Sequence, residues 1–332
     1  MKQVLVAALV GAAALASAHA TARACSFHGT VTKVTYWDDT SSYNRATSND
    51  PRCNQSGGTQ TCRLQGYYIV PALAPSGKAP TIVFIHGTGS TMPSSYCETI
   101  NRFVDEGYVV MLPVMRGVAG SAPPAASFSA NTGTYVVTYG TNNATSSCDA
   151  TCQEIAYMKQ EVLDIDSAIH WLVEKHPTTT DLSELALMGH SFGGATITLA
   201  NRNDSKLTYT PTVAVSLSGA AMSWDYGNEW AVAMDAAADR ARSPMYFQRV
   251  ANESPQSPDI GSALETYGHV LSSGQAARLA AYPFYQPVST TMCNDTTPNW
   301  HNVHCGFVFE AQGVAIWADG VIEFLEDYGV KP

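Results

Sequence analysis

Gly189-His190-Ser191-Phe192-Gly193 places a serine between glycines in the pattern Gly-x-Ser-x-Gly. The apolar run Leu185 to Met188 precedes it, and an Ala-rich stretch with a third glycine, Gly194, follows it. Strand, sharp turn and helix in that order make a nucleophile elbow, in which the serine sits in strained backbone and the glycines leave room for adjoining strand and helix. The hydroxyl of Ser191 is then exposed. The following helix adds its positive end, and the N–H of Phe192 can point at a developing oxyanion.

A serine hydroxyl is a poor nucleophile at neutral pH, so this chemistry needs a base within hydrogen-bond reach and an acid that orients the base. Glu253, in Ala251-Asn252-Glu253-Ser254 just past the expected strand Met245 to Val250, is the expected acid, with Asp259 and Asp225 as reserves. His304, in Asn299-Trp300-His301-Asn302-Val303-His304-Cys305-Gly306-Phe307, is the expected base, with His301 as its nearest rival. The three then follow the chain order Ser, acid, His. His86-Gly87-Thr88-Gly89 ends another apolar run, and glycines there let the backbone turn its N–H groups inward, which makes Thr88 N–H the expected second oxyanion donor. The side chain of His190 projects away from its neighbour Ser191, so His190 is expected to line the pocket instead of acting as base. His86 is a second pocket candidate, otherwise structural like His28 and His269. A metal reading of His301, His304 and Cys305 is set aside, because no carboxylate cluster stands beside them and cysteine here is better spent on a disulfide.

These groups need a scaffold of alternating strands and helices. Alternating β-branched and aromatic residues predict early strands over Thr30 to Trp37 and Cys62 to Pro71. Thr81 to Ile85 and Tyr108 to Pro113 read as strands buried on both faces, with a helix over Tyr96 to Glu106 between them. A helical stripe runs from Glu154 to Lys175. Beyond the elbow and its helix to Asn201, strands are expected at Thr212 to Leu217 and Met245 to Val250, with a helix over Glu229 to Arg242 between them. Tyr267 to Tyr282 mixes helix and strand, and a final helix spans Val314 to Tyr328. This alternation predicts a mostly parallel sheet with helices on both faces. The long stretch 118 to 151, rich in Ser, Ala, Pro, Asn and Thr around a short hairpin at Thr134 to Tyr139, is expected to overhang the site.

The chain has 332 residues, 45% of them apolar, which suits one large domain with a sizeable core. Lys2, the apolar run Val4 to Leu15 and the ending Ala18-His19-Ala20 read as a secretory signal cleaved near Ala20. Residues 1–20 are therefore excluded from the fold, and 21–332 form one domain with a cysteine-pinned N-terminal region at 21–64. A secreted or periplasmic location follows. Cleavage after Ala24 would put Cys25 first, as in a lipoprotein, but Arg23 just before it is a poor lipidation signal. All eight cysteines lie beyond the signal, an even number that argues for disulfides. Nearness pairs Cys53 with Cys62, Cys148 with Cys152 and Cys293 with Cys305, leaving Cys25 to reach Cys97. A formal net charge of −10 without a Lys/Arg cluster speaks against nucleic acid or an anionic membrane as partner.

The stretches IVFIHGTG at 82–89, MRG at 115–117, EVLDIDSAIHWL at 161–172, LMGHSFGG at 187–194, VANES at 250–254 and HCGF at 304–307 resemble the α/β-hydrolase superfamily, and within it the dienelactone-hydrolase-like and related serine esterases. The resemblance implies the α/β-hydrolase fold and a triad of Ser191, Glu253 and His304. True dienelactone hydrolases carry a cysteine where this chain has Ser191, and many relatives carry Asp where it has Glu253. The reading is an exported serine hydrolase that cleaves carboxylic esters, small or polymeric, through an acyl-enzyme, with no cofactor. Its rivals are a peptidase or amidase on the same fold and a non-catalytic binding module.

Overall fold

The computed structural model describes residues 25–37, 53–56, 59–72, 77–87, 93–115, 121, 127–129, 134–136, 150–219, 228–253, 261–288 and 299–332. The signal segment, Thr88, Arg116-Gly117, Asp225, Asp259 and much of 118–151 lie outside the described residues.

The elements in chain order are β1 (Thr30–Trp37), β2 (Cys53–Ser56), β3 (Thr59–Val70), β4 (Ala79–Ile85), a 3₁₀ turn (Pro93–Tyr96), α1 (Cys97–Asp105) and β5 (Val109–Val114). A hairpin of β6 (Ser127–Ser129) and β7 (Thr134–Val136) follows, then α2 (Ala150–Lys175), β8 (Thr180–His190), α3 (Phe192–Ala200) and β9 (Val213–Leu217). The last third holds α4 (Asn228–Ala238), β10 (Met245–Val250), α5 (Gly261–Ser272), β11 (Ala277–Tyr282), α6 (Asn299–Phe309) and α7 (Ala311–Asp327).

The main sheet runs β1-β3-β5-β4-β8-β9-β10-β11, with β2 paired on β3. From β5 to β11 every pairing is parallel, whereas β3 meets both β1 and β5 antiparallel. Strands β4, β5, β9 and β10 are buried at every position, which is why they are mostly apolar rather than alternating, with Gln248 and Arg249 of β10 among the polar and charged exceptions that burial there must accommodate. One face is covered by α2, α3 and α4 through Val162, Ile165, Leu172, Ile197, Leu199 and Met234. The other is covered by α1, α6 and α7 through Ile100, Phe103, Val303, Phe307, Trp317 and Val321. This is the α/β-hydrolase arrangement that the sequence implies.

Strand β2 falls where no strand is expected, and two elements of the site also depart from the sequence reading. Strand β8 starts at Thr180, five residues before the apolar run, and a register shift between Pro80 and Thr81 in β4 absorbs Leu182-Ser183-Glu184, the residues between the partners Asp181 and Leu185. Helix α6, which carries His304, is not foreseen. It breaks from α7 at Glu310, where the axes turn by 67°. Among the described residues no single helix is long and apolar enough to cross a membrane.

Cys25 is bonded to Cys97 at the start of α1, as nearness left it to be. Cys53 and Cys62 are register partners across β2 and β3, and Cys62 and Cys305 are each in a disulfide.

Candidate active site

Ser191 stands between β8 and α3 at φ 57° and ψ −123°, a region closed to most side chains by steric clash. Its surroundings enforce the turn. Ser191 N–H donates to the Leu217 carbonyl on β9 at 2.9 Å, and its own carbonyl accepts from Ala195 N–H at 3.1 Å. A side chain at Gly189 would meet the Gly193 carbonyl oxygen at 2.4 Å, and one at Gly193 would meet the Ile85 carbonyl oxygen at 2.3 Å. The glycines of the motif are thus required by contact between β8, α3 and the end of β4. Phe192 is the first residue of α3, so its N–H stands at the positive end of that helix.

Glu253 lies three residues past β10, fully buried, and its Oε2 is 3.6 Å from Nδ1 of His304 on α6. The structure therefore brings together a carboxylate and a histidine that are far apart in sequence. At 3.6 Å the contact is longer than a hydrogen bond, and catalytic contacts commonly tighten only when substrate is bound. Both ring nitrogens of His304 are buried and, among the described residues, have no hydrogen-bond partner. Such a cost is tolerated mainly where function requires it.

Two residues that the sequence reading does not single out fix the acid. Ser218, at the end of β9 with φ 52°, donates its hydroxyl proton to Glu253 Oε2 at 2.6 Å. Arg249, on β10 and almost completely buried, puts Nε 3.4 Å from Glu253 Oε1, and its Nη1 donates to the Ser262 hydroxyl. A buried carboxylate beside a buried guanidinium offsets part of the desolvation penalty that either charge would meet alone. The preceding residue, Asn252, exchanges two hydrogen bonds with the backbone of Tyr285, at 2.8 and 3.0 Å, which locks the loop. The spacing of Arg249 and Glu253, four apart across a strand end, is the one sequence signal that could have found this pair.

Of the two pocket candidates, each has both ring nitrogens engaged by protein. His86 Nε2 accepts from Met115 N–H at 3.0 Å, so Nδ1 carries the proton and donates to the Gly87 carbonyl at 2.8 Å. Burial lowers its pKa, so it stays neutral and pins the end of β4 to the end of β5. His190 Nε2 lies 3.2 Å from the carbonyl of His304, and Nδ1 lies 2.9 Å from the Tyr96 hydroxyl. These two are framework residues beside the site rather than groups turned toward a substrate. The reserves Asp225 and Asp259, the second oxyanion donor Thr88 and the side chain of the rival base His301 lie outside the described residues.

Among the described residues, Asp235, Glu265 and His269 are grouped closely enough to suit a metal ion, on α4 and α5. None of them belongs to the Ser191, Glu253 and His304 set.

The pattern of the alpha/beta hydrolase family matches residues 82–324, which contain the elbow, the acid and the histidine. The chain belongs to the alpha/beta hydrolase family. Three solved structures illustrate the likeness. An esterase, Pf2001, from Pyrococcus furiosus is 14% identical, with a TM-score of 0.53 over 90% of this chain and 93% of its own. Acetyl xylan esterase from Paenibacillus sp. R4 is 15% identical, with a TM-score of 0.52 over 80% of each chain. The acylaminoacyl peptidase of Pyrococcus horikoshii is 15% identical, with a TM-score of 0.50 over 78% of this chain but only 37% of its own, so the chain spans little more than a third of that enzyme. At these identities the alpha/beta hydrolase fold is what is shared. No curated protein matches the chain in sequence.

Proposed function

We propose that this alpha/beta hydrolase is an exported serine esterase that works through an acyl-enzyme, with Ser191 as nucleophile, His304 as base and Glu253 as acid. The observation that carries the reading is the strained elbow at Ser191 combined with a fully buried carboxylate facing Nδ1 of a buried histidine. In this mechanism Ser191 Oγ attacks the ester carbonyl and His304 Nε2 takes its proton. Glu253 keeps the remaining proton on Nδ1 and balances the imidazolium charge. The N–H groups of Phe192 and Thr88 receive the oxyanion. Collapse of the tetrahedral intermediate expels the alcohol, which takes the proton from His304. Water, activated by the same histidine, then releases the acid.

An ester is favoured over an amide because the two esterases are similar along most of their own length, whereas the peptidase is similar over a minor part. Serine in place of cysteine steers the reading away from dienelactones. Export is supported by the N-terminal signal pattern and by the disulfide-bonded cysteines.

The test is turnover of short- and long-chain p-nitrophenyl esters and of matched anilides by the mature protein, beside Ser191→Ala, His304→Ala and Glu253→Gln. Ester hydrolysis should be abolished by the first two changes. Glu253→Gln, which stabilises the wrong tautomer of the base, should lower turnover about 10³–10⁴-fold. Faster cleavage of the anilides would establish an amidase instead. No turnover together with a Ser191 inert to fluorophosphonate would sink the catalytic reading and favour a binding module.

A further inference from the structure

Among the described residues neither ring nitrogen of His304 makes a hydrogen bond, so its main chain shares with the Glu253 carboxylate, 3.6 Å away, in setting its place. That main chain is gripped from the elbow. His190, next to Ser191, lies against the His304 carbonyl, and a carbonyl can only accept, so His190 Nε2 carries a proton and donates it. In the neutral ring Nδ1 is then an acceptor, and the Tyr96 hydroxyl must donate to it. The same hydroxyl oxygen accepts the N–H of Gly87 at 2.8 Å. Gly87 runs directly past the nucleophile, since a side chain built on it would meet Ser191 Cβ at 3.0 Å. A directed chain thus leads from Gly87 N–H to Tyr96 O–H, to His190 Nδ1, and from His190 Nε2–H to the carbonyl of His304.

Each member is fixed by its surroundings. Tyr96 packs edge-on against Phe84 of β4 and Phe309 of α6, with ring centroids 5.0 and 4.8 Å apart. The His190 and His304 rings are 4.7 Å apart. Burial, reinforced by the neighbouring His304, lowers the pKa of His190 well below the usual imidazole value, so the required neutral tautomer persists at working pH.

We propose that Tyr96 and His190 are a positioning pair that ties the helix carrying the base to the strand end beside the nucleophile, so that His304 and Gly87 are held in register with Ser191. This rests on the esterase mechanism above. The pair touches no reacting atom. Its effect is on turnover, because a shift of about 1 Å in a catalytic group costs on the order of a hundredfold in rate while leaving ground-state binding nearly intact.

The experiment compares Tyr96→Phe, His190→Asn and His190→Gln with the wild type in hydrolysis of p-nitrophenyl acetate. Rates are normalised to the serine titrated to completion with a fluorophosphonate, so that any unfolded fraction drops out. Tyr96→Phe keeps the ring and removes only the hydroxyl. Asn can keep the acceptor facing Tyr96 but cannot reach the His304 carbonyl, whereas Gln presents an N–H near the place of Nε2. The expected result is a fall in kcat of about 10–100-fold, with KM within about twofold, for Tyr96→Phe and for both His190 variants, each of which breaks one of the two links. Wild-type kcat per titrated serine in any of the three would overturn the proposal. A wild type inert to both ester and probe would overturn the esterase reading, and this pair's role with it. An active wild type with unaffected variants would overturn the pair alone.

Discussion

The backbone of Ser191 should store measurable energy. A non-glycine residue held at φ 57° and ψ −123° costs about 1–3 kcal/mol, and here the hydrogen bonds to Leu217 and Ala195 and the packing of Gly189 against Gly193 leave it no alternative. Comparing Ser191→Gly with Ser191→Ala isolates that cost, because both lack the hydroxyl and only alanine keeps the clashing Cβ. Glycine recovers the strain and loses about 0.5–1 kcal/mol through the greater freedom of its unfolded chain. The glycine variant should therefore be more stable than the alanine variant by about 1 kcal/mol. In a chain of this size that is a rise in melting temperature on the order of 2 °C. Urea unfolding followed by circular dichroism, with a thermal scan in parallel, measures both quantities. Both variants should be inactive as esterases. If the alanine and glycine variants unfold together, or alanine is the more stable, the elbow stores no strain and the argument from its geometry fails.

Three further outcomes follow from packing and charge. Gly193→Ala drives a Cβ into the carbonyl oxygens of Ile85 and His86, at 2.3 and 2.6 Å, and should lower stability by about 3 kcal/mol or more. Gly268→Ala, in α5 with open space around it, should instead raise stability by about 0.5–1 kcal/mol, and urea midpoints distinguish the two. The carboxyl of Asp235 is raised from its ordinary 3.8 to about 6 by burial, helped by Glu265 and Asp239 and opposed by His269. A folded-state pKa above the unfolded one means that this group's stabilisation is complete below about pH 4 and is lost as pH rises through 6. Asp235→Asn should match the wild type near pH 4 and exceed it at pH 8 by about 1–2 kcal/mol, allowing for partial solvation. A wild type that is the more stable at pH 8 would refute the sign.

The parts of the fold that the sequence discloses are those where local pattern and tertiary demand agree. Thr81 to Ile85 lies wholly within β4 because both faces of that strand are buried and its run Ile82-Val83-Phe84-Ile85 is apolar. The elbow is legible because glycine is the only residue that the packing of β8, α3 and β4 admits. Helix α6 is hidden for the opposite reason. Asn299, His301, Asn302, Val303 and Gly306 are weak helix formers, and burial of Val303, Phe307 and Val308 overrides them. The position of Glu253 past a strand end was legible, but its anchoring by Arg249 and Ser218 was not, since those contacts join separate strand ends. The same holds for Tyr96 and His190, ninety-four positions apart and joined by one hydroxyl.

The strand order also dictates when this protein can begin to work. The elbow strand β8 pairs with β4, which precedes it by roughly a hundred residues, so that contact must be reached by closing a long loop. Ser191 then leans on β9 through Leu217, and Ser218 leans on β10 through Gln248. Neither serine acquires its geometry until the β8-β9-β10 ladder has closed. Sheets assembled from such distant partners fold slowly. During refolding, the proposed ester hydrolysis should consequently appear after the bulk of the helical signal, reporting the closing of the sheet's centre and not the collapse of the chain.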